Sequence, residues 1–228
     1  MRRQPRAFDA RQQAEGVRKF KIGDVGALAG QADDGQLGRE FSDEEVLTLW
    51  HGFGGSRDAQ LRQWGIDPEP FWRLFHEVED PIRRAEATYL YEDAERLLAD
   101  LDGPIGIVTH SQPPLTEAVF DHLDIGDWFD TVVCCGDDVG WKPDPTPVYR
   151  ALEDLGTPDD QRTVLVGDSP SDIGAAWNAG LDAVHVERFD PDQRGHCVLA
   201  DHRVSRLDGL RELTGQRRAA DGGQTDRQ

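Results

Sequence analysis

The sequence predicts an α/β fold, a parallel sheet covered by helices on both faces, spanning residues 85–213 and preceded by a small helical region over 1–84. Three observations carry that prediction. From about residue 88, short continuous apolar runs alternate with helical segments, as strands buried on both faces do. No strand-like run occurs between residues 8 and 82. Polar residues fall just beyond the apolar runs, and ligands of open α/β sheets sit at the carboxyl ends of their strands.

In order along the chain, Ser42-Asp43-Glu44-Glu45 forms a capping box before Val46, Leu47, Leu49 and Trp50. Asp67-Pro68 pairs an N-cap with a proline at the first helical position, ahead of Phe71, Trp72, Leu74 and Phe75. The aromatic residues Phe53, Trp64, Phe71, Trp72 and Phe75 are expected to form the core of this helical region. Tyr91–Leu101 is a helix leading to the strand at 104–108, Pro104-Ile105-Gly106-Ile107-Val108. Leu115–Leu123 leads to the strand at 131–135, Pro147–Leu155 to the strand at 163–166, and Ser171–Ala179, stopped by Gly180, to the strand at 183–186. The order is Rossmann-like. Residues 214–228 are polar, small and aperiodic, and are expected to be a disordered tail.

Charge narrows the function classes. Asp and Glu number 44 against 25 Lys and Arg, a formal net charge of −19. Such a chain repels nucleic acid and anionic lipid, and a phosphate site within it must supply its own positive charge. No apolar run is long enough to span a membrane and none follows the basic start as a signal peptide would, so a cytoplasmic location is expected. Lysine occurs only as Lys19, Lys21 and Lys142. Aspartate-rich, lysine-poor composition suits a salt-filled cytoplasm, where a Debye length of about 3 Å screens self-repulsion. Cys134, Cys135 and Cys197 have no zinc-ligand spacing and are expected to be buried thiols.

The residues past the strands form a set suited to phosphoryl transfer. Thr109 and His110 follow the first strand, Gly140-Trp141-Lys142-Pro143-Asp144-Pro145 the second, and Gly167-Asp168-Ser169-Pro170-Ser171-Asp172 the third. A carboxylate at a strand tip can hold Mg²⁺, a hydroxyl can donate to a phosphoryl oxygen, and an ammonium can neutralise charge developing on the transferred group. Lys142 stands out because arginine serves elsewhere as the general cation, so a compact point charge is required there. The Thr109 strand end, the Lys142-Pro143-Asp144-Pro145 segment and the Gly167–Asp172 block running on to Ala175-Ala176 and Ala179-Gly180 resemble the second, third and fourth motifs of the haloacid dehalogenase superfamily. The style is that of its phosphoglycolate-phosphatase-like branch.

The resemblance implies a Mg²⁺-dependent phosphatase of a small phosphorylated metabolite, phosphoglycolate by default, with the helical region as a cap that chooses the substrate. It implies that Thr109 hydrogen-bonds the phosphoryl group and that Lys142 stabilises the phosphoryl and the nucleophile. Asp168 ligates the metal, and Asp172 supports either the metal's water shell or Lys142. His110 stands where the family often has Asn and joins the substrate-binding set.

The family's first motif, Asp-x-Asp-Gly-Thr/Val, whose first Asp attacks phosphorus, is not found. Phe8-Asp9-Ala10-Arg11 offers Asp9 without the second Asp or the Gly, after a stretch too charged for a central strand. Asp33-Asp34-Gly35 follows no strand. The chain is therefore expected either to start downstream of the motif or to have lost its nucleophile, leaving a gap in the sheet between the strands ending at Thr109 and Val166. Two other readings stand beside the phosphatase: a non-catalytic phosphate- or metabolite-binding relative, and a halide-releasing dehalogenase.

Overall fold

A computed structural model of the protein describes residues 41–101, 103–156, 163–188, 192 and 197–210. Asp9, Asp33-Asp34 and the expected tail lie outside the described residues. The chain falls into two compact units, one ending at Glu79 and one beginning at Asp80.

The first unit is helical where described: α1 (Asp43–His51), α2 (Arg57–Gln63) and α3 (Pro68–Val78). The Ser42 capping box forms, with Ser42 accepting from Glu45 N and Glu45 accepting from Ser42 N. Asp67 caps α3 through Glu69 N. Leu61, Ile66 and Phe71 are buried, with Phe41, Leu49, Trp64, Trp72 and Phe75 packed against them. Phe71 meets Trp72 edge-on at 4.9 Å between centroids, and the Trp72 indole N–H donates to Asp58 at 2.9 Å. Most of the predicted aromatics thus close a core of their own.

The second unit runs α4 (Pro81–Glu86), α5 (Glu92–Asp100), β1 (Gly106–Thr109), α6 (Pro113–Leu123), β2 (Thr131–Cys134), α7 (Thr146–Leu155), β3 (Val164–Gly167), α8 (Pro170–Asn178), β4 (Asp182–Val186) and β5 (His202–Val204). All strand pairs are parallel. They form two sheets, β1-β2 and β3-β4-β5, rather than one. Among the described residues, β1 and β3 are edge strands, the two edges between which the sequence predicts a gap.

Alternation along each strand sends side chains to opposite helical layers. On β3 and β4, Leu165 and Ala183 pack with Ile173 and Ala176 of α8, while Val166 and Val184 pack with Leu97 of α5 and with Leu210. In the smaller sheet, Thr131 Oγ1 donates to Asp154 of α7 at 3.1 Å. Cys134, on the opposite face, lies 3.7 Å from Thr116 of α6. Gly106 is required by close packing, since a Cβ there would stand 2.9 Å from Thr131 Cγ2. Cys135 is buried but Cys197 is exposed, correcting the expectation of three buried thiols. Cys197 precedes the edge strand β5, and its sulfur accepts from the Arg203 guanidinium at 3.1 Å. No helix among the described residues is long and apolar enough to cross a membrane.

Candidate active site

Lys142 is the centre of the site. Its loop begins with a tight turn in which Gly140 N donates to Gly136 O at 2.6 Å, and Gly140 adopts φ +98, a conformation that favours glycine. The loop is then held against α8. Asn178 Nδ2 donates to Pro143 O at 2.9 Å, and Gly174 gives Pro143 room, a Cβ there standing 2.8 Å from Pro143 Cβ.

The ammonium is thereby fixed between two acceptors. Lys142 Nζ donates to Val108 O of β1 at 2.8 Å and sits 2.7 Å from Asp172 Oδ1. Thr109 follows Val108 at the strand tip, and its Oγ1 accepts from Ser111 N at 3.0 Å, which bends the chain away. The hydroxyl proton stays available to donate.

Asp172 lies in the first turn of α8. Its Oδ2 accepts from Ser169 N at 3.0 Å and from Ser169 Oγ at 2.7 Å, while Ser169 Oγ accepts from Asp172 N at 3.3 Å. Gly167 is obligatory behind it, because any Cβ there would collide with the Asp172 side chain. Burial alone would raise the Asp172 carboxyl. The adjacent Lys142 ammonium, with the hydrogen bonds from Lys142 and Ser169, overrides burial and holds it below the usual carboxylate range.

Asp168, just past β3, is exposed. Its backbone carbonyl lies 3.3 Å from Nε2 of the buried His185 on β4. His110 follows Thr109 with its ring edge-on to Trp141, 5.6 Å between centroids. The structure thus brings Thr109, Lys142 and Asp172 together, and sets Asp168 and His110 on the neighbouring strand ends.

The donor set can be weighed against a metal. Both Asp172 oxygens are engaged by Lys142 and Ser169, whereas Asp168 is a solvent-facing carboxylate at a strand tip. Among the described residues no group of three or more His, Cys, Asp and Glu could hold a metal. A carboxylate at a strand tip, as Asp168 is, suits Mg²⁺, which completes its shell with phosphate oxygens and water.

Cys135, just past β2, is buried as expected, its thiol raised by burial and lowered in part by Lys142. One feature escapes the sequence reading. Asp93 in the first turn of α5 receives both Arg188 guanidinium nitrogens, at 2.8 and 3.1 Å, and Leu207 N at 2.7 Å. The one signal for Arg188 is its place just beyond β4, at a carboxyl strand end.

Comparison with known proteins places this geometry. The model of haloacid dehalogenase-like hydrolases matches residues 6–180. A provisionally named pyrophosphatase, PpaX, of Caldanaerobacter subterraneus subsp. tengcongensis is 34% identical over 155 residues, 66% of this chain and 68% of that protein. The phosphoglycolate phosphatase of Escherichia coli K12 is 36% identical over 118 residues, 50% of this chain, which spans only 44% of that enzyme. In fold, a provisionally named phosphoglycolate phosphatase of Lactobacillus plantarum superposes with a TM-score of 0.67 at 22% identity, over 85% of this chain and 92% of that one. The matched span takes in all the strand-end motifs, and the chain belongs to the haloacid dehalogenase-like hydrolase family.

Proposed function

We propose that the protein is a Mg²⁺-dependent phosphoric monoester hydrolase acting on a small organic phosphate. The observation that carries this reading is the Lys142 ammonium, pinned between Asp172 Oδ1 and the carbonyl of Val108, the residue before Thr109. A fixed cation and a hydroxyl donor at adjoining strand ends form a cradle for phosphoryl oxygens, already organised before substrate arrives. Asp172 positions Lys142, and this accounts for its buried, doubly engaged carboxylate. Asp168 would hold Mg²⁺ together with phosphoryl oxygens and water, and the ion would neutralise charge on the transferred group.

For the attacking carboxylate we propose Asp9, which lies within the span matched by the family model. The helical unit ending at Glu79 is proposed as the substrate-selecting cap. The acidic, lysine-poor composition supports work in concentrated salt.

The test is phosphate release from a panel of phosphate esters, with and without Mg²⁺, for the chain and for Asp9→Asn and Asp168→Asn. Turnover that needs Mg²⁺ and disappears in both variants is expected. A folded chain that binds phosphate yet turns over no ester would favour the non-catalytic binding reading.

A further inference from the structure

A fully buried histidine stands in β4 among apolar side chains. His185 is 0% exposed and lies between Val184 and Val186, which are buried too. Strands covered on both faces are ordinarily apolar throughout, and a buried imidazole costs stability unless its polar atoms are hydrogen-bonded. The register places the ring. His185 stands opposite Gly167 of β3, and its Nε2 lies 3.3 Å from the backbone carbonyl of Asp168, one residue further along. A carbonyl only accepts, so in this contact Nε2 carries the proton and donates.

The peptide joining Asp168 to Ser169 is held from its other edge as well. Its N–H, on Ser169, donates to Asp172 Oδ2 at 3.0 Å. A trans peptide is planar with C=O and N–H on opposite edges, so a partner at each edge fixes how the whole plane is turned. That sets the backbone on the carboxyl side of Asp168, and with it the direction in which the exposed Asp168 side chain leaves the strand tip. Asp172 also takes the Lys142 ammonium at 2.7 Å. Through this one peptide, the carboxylate proposed for the metal and the ammonium proposed for the phosphoryl group share a frame, and His185 is the part of it that comes from β4.

We propose that His185 is a positioning residue for Mg²⁺ binding: its Nε2–H holds the Asp168 carbonyl and so aims the Asp168 carboxylate at the ion. It acts through Asp168 and is not itself a ligand. The inference rests on the reading of Asp168 as the metal-binding carboxylate and deepens it.

Titration calorimetry of the full chain with Mg²⁺ tests it without turnover. His185→Phe keeps a ring but removes the donor, and is expected to weaken Mg²⁺ binding about tenfold or more. His185→Gln, whose amide nitrogen can stand where Nε2 stands, is expected to recover most of that loss. Val184→Ala loses packing against Leu97 and Leu210; it should unfold at lower urea yet keep the parent's Mg²⁺ affinity. Parent affinity in His185→Phe, or an equal loss in Val184→Ala, overturns the positioning role. A second measurement needs only the parent to fold as it does: its long-range proton–nitrogen NMR spectrum should show His185 protonated at Nε2, and protonation at Nδ1 alone overturns the proposal. A parent chain with the expected tautomer that binds no Mg²⁺ would instead remove Asp168 as a metal ligand, leaving His185 a structural tie.

Discussion

Two ion pairs sit at the carboxyl ends of the strands, and they are built differently. Lys142 and Asp172 join through a single ammonium–carboxylate contact, their side chains 9% and 12% exposed. Arg188 and Asp93 join through a two-nitrogen fork, 16% and 2% exposed. The fork is closed on itself: Asp93 also takes Leu207 N, and Arg188 also covers the Tyr91 ring. Lysine is a compact charge whose further donors can turn toward an arriving anion, whereas a guanidinium committed to a fork is a structural tie. On the proposed function, the lysine pair meets the substrate and the arginine pair holds the frame.

Removing one partner of the tie should produce the largest stability effect. Arg188→Ala leaves Asp93 buried and unpaired and is expected to cost about 3–5 kcal/mol, read from the urea midpoint. Arg188→Lys keeps the charge but loses the fork and the ring contact, at about 1–3 kcal/mol. If the two substitutions cost the same, the fork geometry contributes nothing.

Acid should strain both pairs together. Asp93 is pulled up by burial, then more strongly down by the Arg188 hydrogen bonds and Leu207 N, and ends below its ordinary range, as Asp172 does. With folded values below the unfolded value of about 3.9, the unfolded chain binds more protons in acid. The stabilisation is full above about pH 4 and is lost as pH falls through the folded values. Thermal melts should therefore show Tm falling below about pH 4, and less steeply in Asp93→Asn than in the parent. An unchanged acid slope would remove Asp93 from the account. The smallest effect belongs to the exposed Arg96–Asp208 contact, where Arg96→Ala should shift the urea midpoint least of the substitutions named.

The same contrast explains what could be read from the sequence. Thr109, Lys142, Asp168 and Asp172 sit near strand ends within short motifs, and Lys142 is conspicuous as the only lysine after residue 21. The strands β1 to β4 are apolar runs and announce themselves. His202-Arg203-Val204 is three residues with charge inside it and Asp201 before it, so β5 carries no apolar signal. Arg188 and Asp93 stand far apart in sequence, and only folding brings them together. Among the described residues β1 and β3 each stand at the edge of a separate sheet. The Val108 carbonyl that takes Lys142 had no sequence signal, because a backbone acceptor is present at every residue.

The working role of the Lys142 pair is tested most directly by Mg²⁺-dependent phosphate release from p-nitrophenyl phosphate in molar KCl, comparing the chain with Lys142→Met. The account predicts release that requires Mg²⁺ and falls by about 100-fold or more in the variant. Equal rates in the two proteins, or no release from the folded parent chain, would contradict it.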